Sequence, residues 1–227
     1  MDQLLTRRAL IGAGLAVPVL FLPGCATGLG GFSFEEAIRR ILTLSSQRAF
    51  ANLLTEEGFF RDEMARVPLP SELGGNRAAS ALAALLGTSL VQDRLLRLVN
   101  VAAAEAADAA APVVYDSIRS MSIADAVSIV RGGSTSATDY LRQSMGSAIV
   151  NAMFPGVGNA LRAVDNGIVN RILSTVTGIS FSGLQGHVAE RAADGIYRAI
   201  GREEASIRAN PRSTGDPLLI GVFSVLG

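Results

Sequence analysis

The chemistry open to this chain is set by a short inventory of side chains. There is one histidine, His187, and one cysteine, Cys25, and all 20 basic residues are arginine. Without lysine there is no Schiff base, no phosphate-loop lysine and no Ser–Lys nucleophile. One imidazole and one thiol leave a histidine- or thiolate-rich zinc site almost no ligands, and neither a metal ligand set nor a cofactor is assigned. A single cysteine also excludes a disulfide within the chain. His187 with a serine and Asp194 has the residue types of a triad. However, no serine sits in a nucleophile-elbow pattern, and His187 follows a glycine-rich stretch, so it reads as a capping or surface residue. No catalytic residue is assigned.

Carboxylates, arginines and hydroxyls remain. Glu203-Glu204 with Asp194 has the character of a hard-cation site or an acid–base pair. Glu204 and Arg208 are spaced i,i+4, as are Asp194 and Arg198, which reads as a solvated, salt-bridged helix face. Ser134 to Thr138, after Gly132-Gly133, suits an anion at a helix N-terminus or the capping of a tight helix junction. Gly156-Val157-Gly158 lacks the third glycine and the strand of a dinucleotide fingerprint. The candidate binding residues are Asp125, Thr138, Asp139, Arg142, Asp194, Glu204 and Arg208. Arginine's planar fork at 142 and 208 suits a carboxylate or phosphate, with Asp125 and Asp194 to orient it.

The elements that must position these residues read as helices. Met121 to Arg142 is helix, glycine break, helix: Ile123, Val127 and Val130 recur at helical spacing, and Ser136 with Asp139 approximates a capping box. The two glycines imply at least one residue at positive φ. The second helix is expected to run from Ser134 to about Met153, a break at Phe154-Pro155-Gly156 to follow, and a further helix to span Val157 to Val176. Earlier, Phe34 to Leu54 reads as a helix capped by Ser33, and Val67-Pro68-Leu69-Pro70 as an extended connector. Ser71 to Gly87 reads as one short helix or two. Residues 89–119 form the longest helix, with Val91, Leu95, Leu98, Ala102, Ala106 and Ala109 as its stripe and Pro112 as a kink or split. Thr177 to Gly186 reads as a loop. His187 to Asn210 is the cleanest amphipathic helix, with Val188, Ala192, Ile196, Ala199/Ile200 and Ile207 facing inward. Pro211 ends it, and Leu218 to Leu226 is a short apolar segment that must pack. The fold class is all-α, an irregular multi-helix bundle.

The first residues belong to targeting. Thr6-Arg7-Arg8-Ala9-Leu10-Ile11 resembles a twin-arginine export signal, and the apolar run from Ala9 to Leu22 falls short of the roughly 20 residues of a spanning helix. Leu22-Pro23-Gly24-Cys25-Ala26 resembles a bacterial lipobox. Residues 1–24 are thus read as a lipoprotein-type signal peptide, 25–32 as a lipidated tether beginning at Cys25, and 33–227 as a single helical domain. Ala26 lacks the aspartate associated with inner-membrane retention, so the expected address is the periplasmic face of the outer membrane. Formal net charge is zero and tryptophan is absent. Neither a basic footprint nor a stacking platform for nucleic acid is present.

Three segments together resemble a family of uncharacterised bacterial proteins, domain of unknown function 4197. They are Gly58-Phe59 with Val67-Pro68-Leu69-Pro70 and Leu73; Met121, Asp125, Ala126, Ile129, Gly132-Gly133, Ala137-Thr138 and Tyr140; and Ala193 to Tyr197 with Glu203-Glu204, Ile207-Arg208, Pro211, Asp216 and Leu218-Leu219. The resemblance implies a helical, often exported protein with no established activity. Between Ser144 and Gly186 the chain departs from the family pattern, as it does near Ile220 to Phe223, where basic residues are expected. The functional expectation is a lipid-anchored periplasmic protein that binds or scaffolds in the cell envelope, held to the membrane by its N-terminal lipid. The alternatives are an envelope enzyme built on carboxylates and arginines, and a carrier of an apolar ligand.

Overall fold

The computed structural model describes residues 33–70, 89–164 and 180–226. By internal contacts the chain divides into Met1–Gly31 and Phe32–Gly227. All described residues belong to the second unit. Among them there are eight α-helices and no strand, so the fold is all-α.

Helix α1 spans Phe34–Leu53. Ser33 caps it by accepting from the Glu36 N–H at 3.2 Å, and Glu35 and Glu36 place negative charge in its first turn. Ala37, Ile38, Ile41, Leu42, Ala49, Phe50 and Leu53 are its buried face. Helix α2 is one turn, Gly58–Arg61. Helix α3 is the longest, Ser89–Ser120. Its buried stripe is Val99, Ala102, Ala103, Ala106, Ala107, Ala110, Val114 and Ile118. That face is rotated from the expected one, leaving Ala109 exposed.

The junction differs from its sequence reading. Helix α4 covers only Ala126–Arg131, with Asp125 as N-cap, and α5 covers Ser136–Met145. Gly132 has φ −70°, and the described glycines at positive φ are Gly146 and Gly215. Gly146, at φ +52°, ends α5, and the chain restarts as α6 over Ala148–Val164. The expected continuous helix to Met153 is therefore broken, and the expected break at Pro155 is absent because Pro155 lies inside α6. Pro112 likewise lies inside an unbroken α3. Both prolines are exposed, as are Asp108 and Asn151 four residues before them, so water can take the carbonyls a proline leaves free. Packing overrides the local preference: α3 and α6 form the most extensive helix pair. At Gly156 an added Cβ would lie 3.1 Å from the Ala106 Cα, so the two backbones meet closely there.

Helix α7 spans Phe181–Ala209, starting six residues before His187. Ser180 caps it by accepting from the Gly183 N–H at 3.0 Å. The loop expected up to Gly186 is helical because Leu184 and Gln185 are buried, and packing outweighs the roughly 1 kcal/mol that a helical glycine costs. Val188, Ala192, Ile196, Ala199, Ile200 and Ile207 are all buried, as their spacing predicts. A 3-10 turn, Pro211–Thr214, leads into α8, Pro217–Leu226, which buries Leu219, Val222 and Phe223. Helices α1, α3, α6 and α7 make the central bundle, with α7 packed on both α1 and α6.

The segment after α2 turns at Glu63–Ala65, where the Arg66 N–H donates to the Asp62 carbonyl at 2.8 Å, then runs without regular structure to Pro70, and it is held by polar clamps. Asn100, 2% exposed on α3, acts on Val67 as a strand neighbour would. Its Oδ1 accepts from the Val67 N–H at 2.8 Å and its Nδ2 donates to the Val67 carbonyl at 3.0 Å. Arg202 grips Asp62 with two bonds of 3.0 and 2.7 Å, and Arg198 donates to the Met64 carbonyl at 2.6 Å. Gly195 makes room: a Cβ there would meet the Ala65 carbonyl oxygen at 2.6 Å. His187 Nε2 lies 3.1 Å from the Pro68 carbonyl oxygen, so the sole histidine serves this connector.

The helix expected over Ser71 to Gly87, the continuation of Val157 to Val176 beyond Val164, and the leader and tether through residue 32 lie outside the described residues.

Candidate functional site

The helix break between α4 and α5 leaves the last carbonyls of α4 and the first N–H groups of α5 without partners inside their own helices, apart from the Gly132 N–H on the Ile129 carbonyl at 3.3 Å. Thr135 stands at the N-cap of α5 but makes no capping bond. The cap comes from α7. Glu204, 0% exposed, places its carboxylate on the first turn of α5. Oε1 accepts from the Ala137 N–H at 3.0 Å; Oε2 accepts from the Thr138 N–H at 2.7 Å and the Thr138 hydroxyl at 2.6 Å. The anion that Ser134 to Thr138 was expected to suit is thus the protein's own.

One turn further along α7, Arg208 serves the other helix end. Its Nε donates to Glu204 Oε1 at 2.8 Å, its Nη1 to the Val130 carbonyl at 2.8 Å, and its Nη2 to the Ile129 carbonyl at 3.1 Å and to Ser136 Oγ at 3.0 Å. The Ser136 hydroxyl donates to the Ile129 carbonyl at 2.6 Å. Phe223 of α8 closes the site, its ring centre 4.7 Å from the guanidinium carbon. Negative charge thus meets the N-terminus of α5 and positive charge the C-terminus of α4, as both helix dipoles favour. The Arg208 side chain is 10% exposed, and the expected solvated face at Glu204 and Arg208 is corrected to a buried clamp. Thr138, also buried, belongs to it.

Gly132 completes the junction by proximity rather than by backbone conformation. A Cβ there would lie 2.7 Å from Ser136 Cβ, whereas at Gly133 it would meet nothing within 4 Å.

Arg142 and Asp194 form a separate group on the surface between α5 and α7, joined as an ion pair with side-chain exposures of 52% and 28%. The Arg142 guanidinium carbon lies 5.4 Å from the centre of the Tyr197 ring. Tyr197 is buried and its hydroxyl has no hydrogen-bond partner among the described residues. Burial pushes its phenol up to about 12; the Arg142 charge opposes that shift and the Asp194 charge adds to it. Asp125 and Asp139 join neither group. Asp125 caps α4 through the Ser128 N–H at 3.0 Å, and Asp139 accepts from the Thr135 hydroxyl at 3.1 Å.

The seven candidates therefore divide into a buried clamp (Thr138, Glu204, Arg208), a surface pair (Arg142, Asp194) and two exposed residues with local bonds, Asp125 as the N-cap of α4 and Asp139 on the Thr135 hydroxyl. Among the described residues, no three His, Cys, Asp or Glu side chains group to hold a cation. Sequence reasoning missed Asn100, Asp62 and Arg202. For Asn100 a signal existed: it sits beside Val99 and one turn from Leu96 and Ala103, on the apolar side of α3.

The fold and its clamps define a helical-bundle protein whose buried charges tie helix ends together. The chain belongs to the family described as Protein of unknown function (DUF4197), whose model matches residues 28–224. No curated protein and no solved structure matches the chain.

Proposed function

We propose that this protein is exported, lipidated on Cys25 and held at the periplasmic face of the outer membrane, where it acts by binding a partner in the cell envelope. The observation that favours binding over chemistry is the state of the buried charges. Glu204 has accepted four bonds and Arg208 donates four, all to groups of the helix junction or to each other. A general acid or base needs a proton-transfer partner within reach of substrate. Neither group offers one, and the charges that do face solvent, such as Arg142 and Asp194, sit on an open surface.

The anchoring half of the reading is supported by order along the chain: an apolar run follows Arg7-Arg8, a cysteine closes it, and the family match begins only at residue 28. Stable anchoring requires more than one acyl chain, each buried methylene contributing about 0.8 kcal/mol. Cell fractionation with intact-mass measurement tests it. The wild-type chain is expected in the membrane fraction, cleaved before Cys25 and carrying acyl mass. Cys25→Ser is expected to accumulate as precursor or to leave the membrane. Equal mass and equal fractionation for the two would refute the proposal.

A further inference from the structure

A groove of about 390 Å³ runs between the turn after α1, α2 and one face of α3. Its size falls within the roughly 300–1,000 Å³ typical of ligand sites. Leu54, Phe60, Val101 and Ala104 give it an apolar lining. Leu54 and Val101 are 39% and 42% exposed, two of the few large apolar side chains that the described residues leave open to solvent.

The charge on this lining is mostly negative, with Glu56, Glu57, Glu105 and Asp108 against Arg97. Glu57 is neutralised by Arg61 and Arg97, and the Arg97 guanidinium carbon also lies 4.2 Å from the centre of the Phe60 ring. Glu56, Glu105 and Asp108 also line the groove. Among the described residues these three form no ion pair and no side-chain hydrogen bond. A separate source adds to the same field. Helix α1 is 20 residues long, ends at Leu53 beside the groove and carries no basic residue in its last turn. Elsewhere the ends of α3 and α4 are met by arginines, Arg39 on the carbonyls of Ile118, Arg119 and Met121, and Arg208 on those of Ile129 and Val130. Among the described residues, the partial negative charge of the α1 terminus meets no such cation.

We infer that this groove is the docking site for a basic amphipathic helix of a partner protein, which lays apolar side chains between Leu54 and Val101 and arginine or lysine against Glu56, Glu105, Asp108 and the end of α1. Helix-in-groove recognition uses this combination, with apolar anchors at i, i+4 and i+7 and charges on their flanks. Acidic groups around an apolar lining also exclude acidic partners, since like charges brought together are strongly unfavourable. The inference rests on the binding role proposed above and gives the partner its chemistry.

The test uses the full chain in nanodiscs of zwitterionic lipid, with empty discs as baseline. The probe is a fluorescent helix-forming peptide carrying leucine at i, i+4 and i+7 and arginine beside them. Its control has glutamate for arginine. The arginine peptide is expected to bind saturably and to weaken with added salt, while the glutamate peptide does not bind. Glu105→Gln with Asp108→Asn is expected to weaken binding roughly five- to tenfold, as two exposed charge contacts would. Val101→Arg, at an exposed position that tolerates the change, is expected to abolish it. The inference fails if the arginine peptide shows no saturable binding at millimolar concentration, if the glutamate peptide binds equally, or if both variants keep wild-type affinity. Occupation of the groove by acyl chains that the peptide cannot displace also overturns it. Absence of peptide binding with anchoring intact refutes the groove alone, whereas unchanged fractionation together with unchanged processing and acyl mass of Cys25→Ser refutes the anchor alone.

Discussion

Adjacent glycines at the junction have different reasons to be glycine. Gly132 keeps its Cα close to Ser136, whose hydroxyl bridges the Ile129 carbonyl and Arg208. Gly133 faces open space. Gly132→Ala is expected to destabilise by about 1–3 kcal/mol through overpacking, and Gly133→Ala to change stability by less than about 0.5 kcal/mol. Chemical denaturation of the two single variants distinguishes them; equal losses would contradict this assignment. The sequence pointed to the importance of the glycine pair but suggested positive φ, because steric proximity to a residue four positions on is invisible without the fold. The burial of Glu204 was legible in part. It continues the series Val188, Ala192, Ile196, Ile200 at steps of four, the buried line of α7. The i,i+4 relation to Arg208 identified the pair, but the same spacing also fits an exposed face, and spacing alone cannot choose between them.

At the scale of elements, periodicity located α1, α3 and most of α7, because their apolar stripes span several turns. It failed where tertiary contact overrides a local breaker, at Pro155 in α6 and at Gly183 and Gly186 in α7. The connector shows the converse: that Val67 to Pro70 is not helical was legible from Pro68 and Pro70, but the turn before it and the partners Asn100 and Arg202 were not. Arg202 beside Asp62 holds that carboxyl below the usual carboxylate range, with the Ala65 and Met64 N–H groups assisting against the opposing effect of burial. A depressed folded-state pKa gives stability that is present above the unfolded value and lost as pH falls through the folded one. The wild type should therefore lose stability as pH drops below about 4. Asp62→Asn should be less stable at neutral pH by about 1–3 kcal/mol, the worth of hydrogen bonds to a charged group, and show a shallower acid loss. Thermal unfolding across pH 2–7 checks this; parallel curves for the two proteins would contradict it.

For the whole molecule, the account is that internal charge is architectural and that recognition occurs on the surface. Three arginines act on backbone carbonyls from afar in sequence: Arg39 on the end of α3, Arg198 on Met64 and Arg208 on the end of α4. A guanidinium suits this work, since its fixed fork of donors can meet several carbonyls at once. The clamp of Glu204 and Arg208 is the most demanding instance, because it binds α4, α5 and α7 in one place and leaves no buried charge unpaired. Breaking such a pair from one side typically costs about 3–5 kcal/mol, since the other charge stays buried. The most direct measurement is amide hydrogen exchange in wild type and Glu204→Gln, read at Ala137 and Thr138 alongside the unfolding free energy. The account predicts a loss of about 3–5 kcal/mol together with faster exchange at those two amides. Unchanged stability and unchanged protection at Ala137 and Thr138 would contradict it, since the carboxylate would then not be holding the helix end.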